Sequence, residues 1–307
     1  MRNSVLAIEF TDAKKTEPEP APAAEGASKV YRCEKVENPD ELTIPLEDIA
    51  VLIVSHPQVS FSHAVLSGLA VAGGIFVACN EKHLPVAMLL PLVTHSLQTE
   101  RFAAQASVAL PVKKRMWQDI VRAKIQAQGR LLEERIGSDC GLGSFARRVR
   151  SGDTGNLEAQ AARIYWQKLF SGNGFRRDPD AGGVNACLNY GYAVLRAIVA
   201  RAICGAGLHP SLGVHHHNRY DTFCLADDLM EPFRPIVDRA VTKLGDLPGA
   251  DFPLDRESKR ALLECLVGRF SAGGESRTLF DWLSRSAASL AAAIEGRGDQ
   301  LDLPTVE

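Results

Sequence analysis

The chain changes its hydrophobic rhythm near residue 91. Before that point apolar residues alternate or fall in short runs, the pattern of strands with one side or both sides covered. Val5 to Phe10 alternates, and Val30 to Val36 and Leu42 to Leu46 read as strands separated by the turn residues Asn38, Pro39 and Asp40. Ile49 to Val54 is a continuous apolar run suited to a central strand, and Ile75 to Cys79 and Val86 to Leu90 are two more runs of strand length. A single segment of helical spacing, Ser62 to Ala72, is closed by Gly73 and Gly74. After Pro91 the period lengthens to that of helices, in Leu97–Leu110, Lys113–Gly129, Leu157–Phe170, Val184–Gly205, Leu225–Leu244, Arg256–Phe270 and Thr278–Ile294. The pattern predicts an α+β protein: a small β-rich N-terminal domain over residues 1–92, a larger all-α C-terminal domain over residues 96–295, and a tail over 296–307. Residues 14–28 repeat Pro, Glu and Ala and cannot bury a face, so they are expected to form an irregular loop.

Composition narrows the class. With 46% apolar and 23% charged residues in 307, the chain reads as soluble and globular, with room for two cores. The 7 cysteines form no CxxC pair, which excludes the common structural zinc signatures and points to reduced thiols in the cytoplasm. The longest membrane candidate, Ala64 to Cys79, is broken by two glycines and falls short of the roughly 20 residues needed to span, so no membrane association is expected. A net charge of −2 hides an asymmetry: Lys and Arg outnumber Asp and Glu between Arg101 and Arg177, while both flanks are acidic. A face meeting phosphate is one reading, and a solvated helical surface is the other. The candidate phosphate contacts are Lys113, Lys114 and Arg115, then Arg147, Arg148 and Arg150, then Arg176 and Arg177. Trp117, Tyr165, Trp166 and Phe175 lie among them as candidate base-stacking groups, although Trp166, in mid-helix, reads as core.

The densest chemistry lies between Gly207 and Asp238. Three consecutive histidines, His215, His216 and His217, fall in a loop, and a helix carrying Asp227, Asp228 and Glu231 follows. At roughly 100° per residue the three acids can share one face. Their repulsion calls for solvent, for Arg234 one turn on, or for a divalent cation held by one carboxylate, one histidine and a further carboxylate from elsewhere. Three adjacent histidines cannot all point the same way, so at most one is the ligand. Glu158, in the first turn of its helix, is accounted for by the helix dipole and is equally a candidate third ligand.

Three blocks, LEAQAARIYWQKLF, NACLNYGYAVLRAIVARAICGAGLHPSLGVHHHNRY and LADDLMEPFRPIVDRAV, together resemble the CRISPR-associated integrase/endonuclease family of spacer acquisition, most of all its type II branch. The resemblance spans about residues 42 to 245. It implies a β-rich dimerisation domain, a helical catalytic domain, and metal ligands at Glu158, His216 and Glu231. Asp228 takes the place of another family acid close to the site, with Asp227 beside it. Asn189 and Tyr190, in LNYGY, match positions that hold a helix against the site. The implied cofactor is Mg2+ or Mn2+. The implied partners are double-stranded DNA, as spacer precursor and as CRISPR array, a second copy of the chain, and the small CRISPR-associated protein that works with the family.

The implied reaction is attack of a DNA 3′-hydroxyl on a phosphodiester, inserting a new spacer in adaptive immunity against foreign DNA. Two alternatives stay open: a stand-alone metal-dependent nuclease on branched DNA, which cuts without a partner and leaves no joined product, and a non-catalytic DNA-binding assembly protein, insensitive to chelator.

Overall fold

The computed structural model describes residues 5–9, 41–56, 58–81, 85–91, 93–171, 175–245 and 254–304. The expected loop at 14–28, the strand at 30–36 and the last residues of the tail lie outside them. At the N-terminus β1 (Val5–Glu9) pairs antiparallel with β2 (Glu41–Pro45), from Val5 opposite Pro45 to Glu9 opposite Glu41. A second sheet has the order β3 (Val51–Val54), β4 (Ile75–Cys79), β5 (Pro85–Leu89), with β3 parallel and β5 antiparallel to β4. Parallel neighbours need a crossover, and α1 (His63–Val71) supplies it, capped by Ser62, whose side chain accepts from the Val65 N–H. Ile75 and Val77 of β4 are fully buried and meet Ala197, which ties this sheet to the helices that follow.

Most of the rest is helical, as the change of period predicts. α2 (Gln98–Ser107) and α3 (Leu110–Ile136) are separated at Val108 and Ala109, where the backbone turns extended and Pro111 opens the new helix. The 27-residue α3 is longer than the expected Lys113–Gly129, because only Gly137, in the left-handed conformation, ends it. After the short α4 (Leu142–Arg148), absent from the sequence expectation, come α5 (Leu157–Leu169) and α6 (Val184–Gly205). The segment expected as one helix over Leu225–Leu244 is α7 (Cys224–Met230), a 3-10 turn at Glu231–Phe233, and α8 (Arg234–Gly245). Pro232 lacks the N–H that a continuous helix would need.

α9 (Arg256–Leu266) stops short of the expected Phe270. Phe270 lies instead in β6 (Arg269–Ala272), which forms a hairpin with β7 (Glu275–Thr278), so the C-terminal part is not wholly α. Gly273 and Gly274, both at positive φ, make the two-residue turn that such a hairpin favours. α10 (Leu279–Ile294) begins with a reciprocal cap between Thr278 and Asp281.

α6 is the spine: α7, α8, α9, α10 and the sheet strands β4 and β5 all pack on it, and most of its residues are buried. It is long and apolar enough by composition to cross a membrane, but its burial marks it as a core helix. α3 forms the opposite wall, against α4, α5, α7 and α8. At Gly191 the α6 backbone comes so close to α8 that a Cβ would lie 2.4 Å from Val237 Cγ1. That approach brings Tyr192 of α6 and Tyr165 of α5 onto one fully buried acceptor, Asp238 of α8, with Tyr165 Oη donating at 2.6 Å. The three helices are thereby pinned together through a single carboxylate.

Candidate functional site

Glu158 stands at the second residue of α5, and the helix start is fixed by Asp153, a buried residue in a strained left-handed conformation (φ 46°). Its two carboxylate oxygens accept the backbone N–H groups of Leu157 and Glu158 at 2.9 and 3.0 Å. Asn156, adjacent to the helix, makes no side-chain cap. Asp153 therefore does the work of an N-cap residue and sets the register of Glu158, a role the sequence analysis missed. The signal was present: an acid four residues ahead of the first apolar position of α5.

The histidine loop is built on a second carboxylate. Asp228, fully buried at the middle of α7, accepts backbone N–H bonds from Val214 (2.7 Å), His215 (2.9 Å) and His216 (3.2 Å). It also accepts Nδ1–H of His216 at 2.6 Å. Because a carboxylate is an acceptor only, Nδ1 of His216 carries a proton, and in the neutral imidazole the lone pair is on Nε2. The hydrogen bond to Asp228 is the leading cause that raises the His216 pKa above the ordinary histidine value, which makes Nε2 more basic. Gly213 permits the loop to fold this tightly, since a Cβ there would lie 2.3 Å from the His216 carbonyl oxygen and 3.1 Å from Asp228 Oδ2. The other two histidines go elsewhere. His215 stacks flat on Trp117, with ring centroids 4.1 Å apart, and burial lowers its pKa; His217 is exposed.

Glu231 is 4% exposed and lies in the 3-10 turn after α7. Its Oε1 pairs with Arg234 at 2.9 Å, three residues on, and its Oε2 lies 2.5 Å from Lys124 Nζ. The same ammonium lies 2.6 Å from Glu158 Oε1. Lys124 thus bridges the two glutamates from α3. Burial opposes the Lys124 charge, and Glu231 and Glu158 outweigh it, leaving the pKa above the ordinary lysine value. Burial likewise opposes the Glu231 charge, and Arg234 and Lys124 overcome it, so its pKa is lowered. Lys124 is the second residue missed from sequence. It falls on the buried stripe of α3 marked by Trp117, Val121, Gln128 and Leu131, and a lysine in such a stripe calls for buried acids opposite.

The three acids of the 227–231 segment do not share a face. Asp227 turns away to Arg196, whose Nε and Nη2 lie 2.6 and 3.1 Å from its two oxygens; Asp228 serves the loop, and Glu231 faces Lys124. One helical step rotates Asp227 from Asp228 by roughly 100°, and the turn at Pro232 redirects Glu231 again. Asn189 accepts from Arg177 Nη2 at 2.6 Å and donates to the Pro179 carbonyl at 2.7 Å, fastening the segment before α6. Tyr190 is buried on the side of α6 near Cys79 of β4, and the hydrogen bonds of Asn189 go to Arg177 and Pro179 rather than to Glu158, His216 or Glu231.

Among the basic residues, Lys114, Arg115, Arg147, Arg148 and Arg176 are exposed, whereas Arg177 is half-buried and bonded to Asn185 and Asn189. Lys113 Nζ reaches the Gly213 carbonyl at 3.4 Å, and the Lys114 stem lies over Gly152, so both flank the histidine loop and the start of α5. Trp117 and Tyr165 are buried and present no face to a base; Trp166 packs against Tyr165, Phe170 and Phe175.

Among the described residues, no three His, Cys, Asp or Glu side chains converge closely enough to hold one ion together. The donor set nonetheless suits a cation. Two carboxylates from separate elements already grip a positive charge, and Glu231 Oε2 is a buried oxygen that accepts no aligned hydrogen bond even with the ammonium at 2.5 Å. A carboxylate-anchored imidazole with a free Nε2 stands in electrostatic reach of Glu231.

The family profile described as CRISPR associated protein Cas1 matches residues 29–247. A CRISPR-associated endonuclease Cas1 of Neisseria meningitidis serogroup C (strain 8013) is 38% identical over 274 residues, covering 88% of this chain and 89% of the relative. Among solved structures, a casposase bound to integration product superposes with a TM-score of 0.71 at 20% identity, covering 99% of this chain and 89% of that one. A chain of a Cas6-RT-Cas1–Cas2 complex gives 0.65 at 20% identity, covering 86% of this chain and 33% of that one. At such identities the two structures speak to the fold alone.

Proposed function

The chain belongs to the Cas1 family of CRISPR-associated proteins, and from that premise we propose that it is a metal-dependent DNA integrase and endonuclease that inserts spacers into a CRISPR array. Glu158, His216 and Glu231 would hold Mg2+ or Mn2+. The carrying observation is the convergence of Glu158 and Glu231 on one positive charge beside an imidazole that Asp228 holds by Nδ1. When bound, the ion supplies Lewis-acid stabilisation of the negative charge that builds up on a phosphodiester under attack.

The protein's own groups divide the remaining tasks. Asp153 and Asp228 fix the positions of Glu158 and His216, and Arg234 keeps Glu231 ionised. Lys113, Lys114, Arg115, Arg147 and Arg148 meet the DNA backbone on the side of the histidine loop, and Arg176 extends the contact. The attacking 3′-hydroxyl of the incoming DNA forms the new P–O bond as the bond to the array's own 3′-oxygen breaks. Water in place of that hydroxyl gives the cutting activity named for the relatives. Joining both spacer ends requires two sites, so the working species would be a homodimer bridged by a small partner, for which Cas2, named with Cas1 in the Cas6-RT-Cas1–Cas2 complex, is the candidate.

The test is an integration assay with the small partner, spacer-length duplex and a supercoiled array plasmid, run with Mn2+, Mg2+ or chelator. Glu158→Ala, His216→Ala and Glu231→Ala are each expected to abolish strand joining with DNA affinity nearly unchanged. Joining by any of the three variants, or joining in chelator, would overturn the assignment.

A further inference from the structure

Lys124 is surrounded in a way that metal-site chemistry alone does not call for. Its side chain is 12% exposed, and its ammonium contacts Glu158 and Glu231 at 2.6 and 2.5 Å. Those two side chains come from α5 and from the turn after α7, and α3 delivers the lysine between them. No other pair of acids in the described residues shares one ammonium. Resting on the metal-site reading above, we propose that Lys124 is a built-in counter-ion that occupies the cation position between Glu158 and Glu231 and must be displaced before a divalent metal binds.

Two carboxylates aimed at one point, Glu231 buried and Glu158 part-buried, repel each other unless a positive charge lies between them. In the metal-free protein the ammonium supplies that charge, so the two side chains stay aligned without an ion. A divalent cation carries twice the charge and takes several oxygen ligands, whereas the ammonium offers three hydrogen-bond donors on a flexible four-carbon stem that can swing aside while still charged. The metal therefore wins only at the cost of breaking two ion contacts of a largely buried ammonium. The consequence is a lowered affinity for free metal and a site that does not collapse when empty. Arg234 does not fill this role: it contacts only Oε1 of Glu231 and is held over the Tyr192 ring at 4.8 Å.

The decisive measurement is Mn2+ binding to the DNA-free protein, read from the loss of the free-ion paramagnetic resonance signal, together with melting temperature in chelator and in excess Mn2+. Lys124→Met, nearly isosteric and uncharged, is expected to bind Mn2+ about tenfold more tightly or better, the order expected when buried ion contacts no longer have to be broken. Its melting temperature is expected to fall in chelator and to recover in Mn2+ by more than the parent gains. Lys124→Arg keeps the charge and is expected to stay near the parent affinity, which separates charge from folding defects. Lys168→Met, an exposed lysine late in α5, controls for net charge and is expected to change nothing. Unchanged or weaker Mn2+ binding by Lys124→Met, with binding still lost in His216→Ala, would overturn the counter-ion role while leaving the metal site intact. Binding that survives in His216→Ala and Glu158→Ala would instead overturn the metal-site reading beneath it.

Discussion

Asp228 holds His216 by its Nδ1–H at 2.6 Å, so that a fully buried acid decides where a half-exposed imidazole points. The same carboxylate ties down three consecutive backbone N–H groups of the loop, which makes its two functions inseparable in an alanine variant but separable in an amide one.

Asp228→Asn keeps an acceptor for the loop backbone but presents an NH2 group where one oxygen was. The imidazole then loses the partner that fixes its tautomer. Mn2+ affinity is expected to fall by roughly 10- to 100-fold, the usual effect of removing the group behind a ligating histidine. Asp228→Ala also strands several buried N–H groups and is expected to cost roughly 3 kcal/mol or more of stability. Denaturant melts and Mn2+ titrations on both variants check the split; equal stability loss in the two would contradict it.

Gly213→Ala tests the loop without touching a ligand. Its Cβ would lie 2.3 Å from the His216 carbonyl oxygen, a backbone atom that cannot rotate away. The methyl would also lie 3.0 Å from Cys224 Cβ and 3.1 Å from Asp228 Oδ2 of α7, so the loop must shift, strand joining is expected to fall sharply and the melting temperature is expected to drop with it. Circular dichroism melts alongside the integration assay measure both. Full activity in this variant would show that the loop tolerates displacement.

Asp153→Ala removes the acceptor for two N–H groups at the start of α5. The expected cost is about 1–2 kcal/mol, the value of an N-cap at a well-packed helix start. Since Glu158 is one of the two residues so held, joining should fall by more than the stability loss accounts for at a temperature where the variant is fully folded. An activity unchanged under those conditions would remove Asp153 from the positioning of Glu158.

The architecture was legible in the sequence because it leaves linear traces, and the candidate site stands out for the same reason. A change of period near residue 91 separates strands from helices, and Ile75–Cys79 and Val184–Gly205 have in the structure the bounds their apolar runs suggest. The acids and histidines of 215–231 stand out because like charges seldom gather without cause. What sequence could not supply was partnership at long range. Lys124 is more than 100 residues from Glu231 in the chain, and although its place on the buried stripe of α3 calls for acids opposite, nothing local in α3 says which acids those are. Asp227, Asp228 and Glu231 are alike on the page, yet Pro232 and the packing of α6 send them to Arg196, to the loop and to Lys124 in turn. The Arg269–Thr278 hairpin was missed because Phe270 kept the helical period and so closed one expected helix, with the next beginning at Thr278, while the two glycines at its turn carried the contrary signal.

Gly191→Ala probes the contact that brings α6 and α8 together. The added methyl would meet Val237 Cγ1 at 2.4 Å, in a core with no space to yield, and overpacking of this kind costs about 1–3 kcal/mol. Val237→Ala leaves a void and is destabilising by itself. The double variant Gly191→Ala with Val237→Ala should be more stable than the sum of the two losses, since each change accommodates the other. Strict additivity in chemical denaturation would mean that the helices separate rather than repack.

Asp238 supplies a pH signature of the core that is independent of the site. Burial raises its pKa from 3.8 to about 6, against the pull of the Tyr165 and Tyr192 hydroxyls and of the Arg234 and Arg177 charges. A folded-state pKa above the unfolded one means that the folded protein binds this proton more tightly. The resulting stabilisation is complete below about 3.8, declines as pH rises and is gone above about 6. Asp238→Asn cannot titrate, and its amide can still take part in hydrogen bonds with the two phenols. The melting temperature of the parent relative to Asp238→Asn is therefore expected to fall as pH rises through that window. Asp227, whose pKa is likewise pushed up to about 6 by burial, is present in both proteins and cancels in the difference. A difference that stays flat across the window, or that moves in the parent's favour, would show that Asp238 is ionised throughout and that the two tyrosines hold it as a carboxylate.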